Sequence, residues 1–62
     1  MMITSLNEFV ARVRALDDVG DAYDVFEFDT ADHVRDAVYA LADPQDPEPF
    51  RDAMHTLGFT DY

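Results

Sequence analysis

Eleven carboxylates stand between Asp17 and Glu48, with Arg35 as the single cation among them. They are Asp17, Asp18, Asp21, Asp24, Glu27, Asp29, Asp32, Asp36, Asp43, Asp46 and Glu48. This stretch accounts for the whole formal net charge of −10, because Glu8, Arg12 and Arg14 on one side and Arg51, Asp52 and Asp61 on the other cancel. The chemistry that such a set offers is the attraction of cations. A charge this large on 62 residues opposes folding by self-repulsion, so it calls for a functional account. The complementary ligand is a strongly basic surface on a partner protein.

Other chemistries have weaker support. His33 lies within helical distance of Asp29 and Asp36, which is the spacing that orients a general base, but no nucleophile accompanies it. On so acidic a chain a His beside an Asp arises by chance, and we expect no enzyme activity and no cofactor. The run Asp17-Asp18-Val19-Gly20-Asp21-Ala22-Tyr23-Asp24 has the oxygen-rich look of a calcium loop. It lacks both the alternating ligand pattern of an EF-hand loop and the glutamate that closes it, so no metal site is assigned. Direct binding of nucleic acid is disfavoured, since phosphates are neutralised by Lys and Arg and this chain has four Arg, no Lys and fourteen acids.

The same arithmetic read in reverse favours imitation of a polyanion. Duplex DNA carries one charge per ~1.7 Å of axis, so ten charges answer to roughly 17 Å, or about five base pairs. A compact domain of this length is about 27 Å across. The charge density is therefore of the right order for a protein that occupies a basic nucleic-acid-binding groove.

The elements that position these residues can be read from periodicity. Ser5 with Glu8 forms a capping-box pattern, and Leu6, Phe9, Val10, Val13 and Leu16 then recur at helical spacing, giving a helix over 6–16. Asp17 to Asp21 reads as a turn. Ala22 to Phe28 is rich in aromatic and β-branched residues and alternates, with Phe26 and Phe28 on one face, so it reads as a strand. Thr30 is placed as the N-cap of a second helix over 31–42, with Val34, Ala37, Val38 and Leu41 inward and Asp32 and Asp36 outward. Asp43 to Pro49 is a stiff acidic connector, because each Pro disfavours helix in the residue before it. A third helix starts at Pro47 or Pro49, buries Phe50, Ala53, Met54 and Leu57, and stops at Gly58, with Phe59 folding back as the cap contact.

A strand needs hydrogen-bonding partners, and the candidates are Met2-Ile3-Thr4 and Phe59-Thr60-Asp61-Tyr62. The expected architecture is thus α+β, with about three short helices packed on a small two- or three-stranded sheet, as one compact domain over 1–62. The core is assigned to Phe9, Phe26, Phe28, Phe50 and Phe59. Tyr23, Tyr39 and Tyr62 are less tied to apolar faces and are available to stack on Arg of a partner. No Cys is present, so no disulfide or thiolate site is available, and no apolar run approaches the ~18 residues of a membrane span. The expectation is a cytoplasmic monomer.

A compact, acidic, Cys-free domain of this length, with a short strand among helices and no enzyme motif, resembles the small phage-encoded anti-CRISPR and anti-restriction inhibitors. The resemblance lies in size and charge over the whole chain. It implies a stoichiometric inhibitor, acting in the host cytoplasm, that competes with target DNA for a groove lined by Lys and Arg of a DNA- or RNA-binding complex. The carboxylates from Asp17 to Glu48 would then stand in for phosphates. The alternative is a regulatory or adaptor protein of antitoxin type, whose acids serve solubility or adaptation to salt and which binds through an apolar helix face or strand addition.

Overall fold

The computed structural model describes residues 2–60, and their architecture is all-α. Four helices follow one another: α1 (Leu6–Arg14), α2 (Val19–Phe28), α3 (Asp32–Tyr39) and α4 (Pro49–Thr56). This corrects the expected α+β arrangement of three helices on a small sheet. The described residues contain no sheet, and their one β-type contact is an isolated parallel bridge between Ile3 and Thr30.

The error lies in one segment. Ala22, Val25 and Phe26 fall at i, i+3 and i+4 and are the buried positions of α2, whereas the alternation that suggested a strand rests on little more than Phe26 and Phe28. Asp18 decides the start: its Oδ1 accepts from the Gly20 N–H at 2.8 Å, so the presumed turn is the N-cap and first turn of a helix. A helix also satisfies its own backbone groups, while a strand here would depend on very short partners. Of those partners, Ile3 donates its N–H to Asp29 O and accepts from the Ala31 N–H, which ties 2–4 to the corner between α2 and α3. At the other end, Asp61 and Tyr62 lie outside the described residues.

Thr30 is also reassigned. Its hydroxyl donates to the Val25 carbonyl at 2.8 Å and so closes the end of α2, while Ala31 occupies the N-cap of α3 without a side-chain bond. The other helices form where expected, but two end early: α1 stops at Arg14 instead of Leu16, and α3 at Tyr39 instead of Ala42, so Leu41 packs on the core from the turn that follows. Ser5 Oγ accepts from the Glu8 N–H at 3.2 Å, and Glu8 Oε2 reaches back to the Thr4 N–H at 3.3 Å, one residue before the usual capping-box donor. Pro49 opens α4. Gly58, at φ +99°, closes it: its N–H bonds to His55 O and the Phe59 N–H to Met54 O, both at 3.0 Å, which is a Schellman motif.

The helices enclose one core. α1 packs on α2 and α3, and α3 packs on α4. Phe26 is its hub, touching Phe9 (ring centroids 5.9 Å apart), Phe50 (4.9 Å) and Tyr39 (5.1 Å) in edge-to-face geometry. Tyr23 lies over Phe50 at 4.2 Å, which sets the start of α4 beside α2. Ile3, Phe9, Val13, Val34, Val38 and Met54 complete the packing.

Candidate protein-binding face

The helical phase of α2 gathers carboxylates that a strand would have split. With Ala22, Val25 and Phe26 turned inward, Asp21, Asp24 and Glu27 follow at three-residue steps along the outer face, and all three are exposed. Asp17 and Asp18 stand at the N-terminal mouth of the same helix, also exposed. Across from the C-terminal half of α2, Asp32 and Asp36 lie one turn apart on α3. Between the two helices is an open cleft of about 360 Å³, lined by Phe26, Glu27, Asp32, Arg35, Asp36 and Tyr39.

The structure sorts the eleven carboxylates by what they already do. Three cap or brace backbone: Asp18 at α2, Asp43 Oδ1 accepting from the Gln45 N–H at 2.9 Å, and Asp46 Oδ1 accepting from the Glu48 N–H at 2.8 Å. The acidic connector is therefore a pair of side-chain-closed turns, braced further by Asp52, whose Oδ2 accepts from the Asp43 N–H. Three more face arginines: Asp29 with Arg12 at 3.8 Å, Glu48 with Arg51 at 3.6 Å, and Asp32 with Arg35. The other five, Asp17, Asp21, Asp24, Glu27 and Asp36, make no ion pair or side-chain hydrogen bond with described residues. Four of these five are on or at the mouth of α2.

Helix stability does not account for this placement. A helix C-terminus favours cations, yet the last turn of α2 has none and carries Glu27. Asp24 and Glu27 are like charges one turn apart, a spacing that disfavours a helix by a few tenths of a kcal/mol. The nearby cations are directed to other carboxylates: Arg35 lines the same cleft as Glu27 but pairs with Asp32, and Arg12 faces Asp29. Arg12 and Arg14 lie on α1, with Arg14 over the Phe59 ring at 5.0 Å from its centroid.

The pairing of His33 with Asp29 is not formed. His33 Nε2 donates to the Thr4 carbonyl at 2.8 Å, and Asp29 faces Arg12, so neither is arranged as an acid–base pair with the other. Among the described residues, no group of three His, Asp or Glu side chains is placed to hold a metal ion. No described helix is long and apolar enough to cross a membrane.

One functional candidate escaped the sequence reading. Phe28, assigned to the core, is 76% exposed at the C-terminal end of α2. It stands four residues from Asp24 and seven from Asp21, on their side of the helix. The signal was present in the phase: once Ala22, Val25 and Phe26 define the inner face, position 28 must point out. Tyr23 and Tyr39 are partly exposed, as their position off the apolar stripes suggested, but each also packs on a core Phe.

No protein-family model matches the chain, and no curated protein or solved structure is significantly similar to it.

Proposed function

We propose that this protein is an acidic binding module that docks on a basic, nucleic-acid-binding surface of a partner protein and blocks it to DNA or RNA. The observation that carries the reading is the row Asp21, Asp24 and Glu27, uncommitted within the fold and held on one rigid helix. At a rise of ~1.5 Å per residue, successive members are about 4.5 Å apart along the axis. Phosphates along one DNA strand advance by about 3.4 Å, so the row approximates one strand's charge density. Asp17 extends the row at one end, and Asp36 adds charge across the cleft. In its narrowest form the module is a DNA mimic that inhibits a CRISPR or restriction complex.

Such a complex forms quickly and weakens with salt, because steering acts through the long-range field. The test is capture of the partner from a host lysate at low salt, followed by binding measurements on the purified pair. Between about 0.1 M and about 1 M salt the Debye length falls from about 10 Å to about 3 Å, and affinity should fall with it. Changing Asp21 and Asp24 to Asn and Glu27 to Gln should lower affinity on the order of tenfold at low salt and flatten that dependence. Duplex DNA should compete with the protein for the partner. A complex indifferent to salt and to DNA competition sinks the reading.

A further inference from the structure

We infer that Phe28 is an anchor, and that the partner presents an apolar pocket rimmed by Arg or Lys to receive it. This rests on the basic-partner reading above and adds a component that electrostatics does not supply. Among the exposed large apolar residues Met2, Val19, Tyr23, Phe28 and Tyr39, Phe28 is the most exposed by a wide margin, at 76% against 52% or less. Leaving a Phe side chain in water forgoes the free energy of burying its apolar surface. Complex formation recovers that energy.

The turn that displays Phe28 is held rigid. Helix ends ordinarily fray, yet this one is pinned on three sides. Thr30 Oγ1 donates to Val25 O, Ile3 N–H donates to Asp29 O at 2.6 Å, and Arg12 faces the Asp29 carboxylate. Phe26, two residues earlier, is locked among three rings. An aromatic side chain on so fixed a turn loses little further freedom on binding, which is what a preorganised contact residue requires. Aromatic residues fill the central pockets of most protein interfaces, with charged groups at the rim.

Charge selects the occupant. Asp21 and Asp24 precede Phe28 on the same side of the helix, so the surface beside the pocket must be cationic. Nucleic acid and anionic lipid are repelled by a chain of net charge −10. A second copy would set its own carboxylate row against this one. What remains is a protein surface that joins an apolar pocket to Arg or Lys.

The test uses two synthetic peptides of identical composition. One is a helix with Leu along one face and Arg on both flanks; in the other the same Leu and Arg are dispersed around the helix. Binding to the full chain is followed by fluorescence anisotropy at low and high salt. The wild-type protein should prefer the amphipathic peptide by at least about tenfold. Phe28→Ala should cost that peptide at least about thirtyfold, the effect of a hot-spot residue, and erase the preference while the salt dependence survives. Asp21→Asn with Asp24→Asn should do the reverse, keeping the preference and flattening the salt dependence. If Phe28→Ala leaves the preference intact, the anchor is wrong and the electrostatic reading stands. If neither peptide binds in a salt-dependent way, both fail. Sedimentation of the free protein closes the remaining route, because self-association that grows with salt and disappears in Phe28→Ala would give this face to a second copy and overturn the inference.

Discussion

Phe26 and Phe28 are two residues apart on α2 and occupy opposite worlds. Phe26 is 1% exposed and touches three other rings, while Phe28 is 76% exposed and shares its side of the helix with Asp21 and Asp24. The inner face of α2 is chosen for packing: Ala22, Val25 and Phe26 fill the space between helices. The outer face contradicts what stability would choose, with like charges at successive turns, an acid at the negative end of the dipole and a bare aromatic ring. When one face of a helix obeys the rules of folding and the other breaks them consistently, the second face is the place to look for function. The two faces should therefore respond to substitution in opposite ways.

The largest difference is expected at Phe26. Phe26→Ala removes the hub of the aromatic cluster, and buried Phe to Ala changes cost about 3–5 kcal/mol. At roughly 0.05–0.15 kcal/mol per residue, a chain of this length has a total stability of about 3–9 kcal/mol, so the loss is of the same order as the whole. The expected result is a chain largely unfolded, or melting tens of degrees lower, by far-UV circular dichroism. A cooperative melt near that of the wild type would mean that the core does not depend on Phe26, and the contrast between the faces would collapse.

The same pair explains which parts of the fold could be read from sequence. The signals for α1, α3 and α4 are local: Ser5 with Glu8, a stripe at Val34 and Val38, Pro49 at one end and Gly58 at the other. α1 and α4 are each stated in two or more independent ways, whereas α3 rests on its apolar stripe, since Thr30, its expected cap, closes α2 instead. Between Asp17 and Phe28 the signals conflict. β-propensity and a short alternation favour a strand, Gly20 favours a turn, and the helical reading depends on seeing Asp18 as a cap and on the spacing of Ala22, Val25 and Phe26. Propensity yielded to the cap and the tertiary core, as it does wherever a short segment is ambiguous. The candidate face shared this fate. Its residues were legible as a charged set, but their division into bracing, paired and free carboxylates depends on where Gln45, Glu48 and the four arginines come to lie.

Asp18 and Asp24 test that division on one helix. Asp18 accepts the Gly20 N–H, so Asp18→Ala leaves a backbone donor without its cap and should cost about 1 kcal/mol. Asp24→Asn removes a charge that braces nothing and relieves the repulsion with Glu27, so it should be neutral or stabilising by a few tenths of a kcal/mol. Urea unfolding at low ionic strength measures both. Equal losses at the two positions would show that the outer row is structural after all, and the free set would have to be redrawn.

Phe28 should show an effect as small as that of Asp24, and its smallness is the point. Phe28→Ala removes a side chain that makes few contacts, and Ala is the better helix former by roughly 0.5 kcal/mol, so the variant should be as stable as the wild type or slightly more so. Its melting temperature should be unchanged or raised by a few degrees for a domain of this size. A loss above about 1 kcal/mol would place Phe28 with Phe26 as a packing residue and withdraw its claim to recognition. Equal stability with the binding preference gone separates the faces cleanly, because a residue that costs nothing to remove from the fold and much to remove from a complex is held outward for the partner alone.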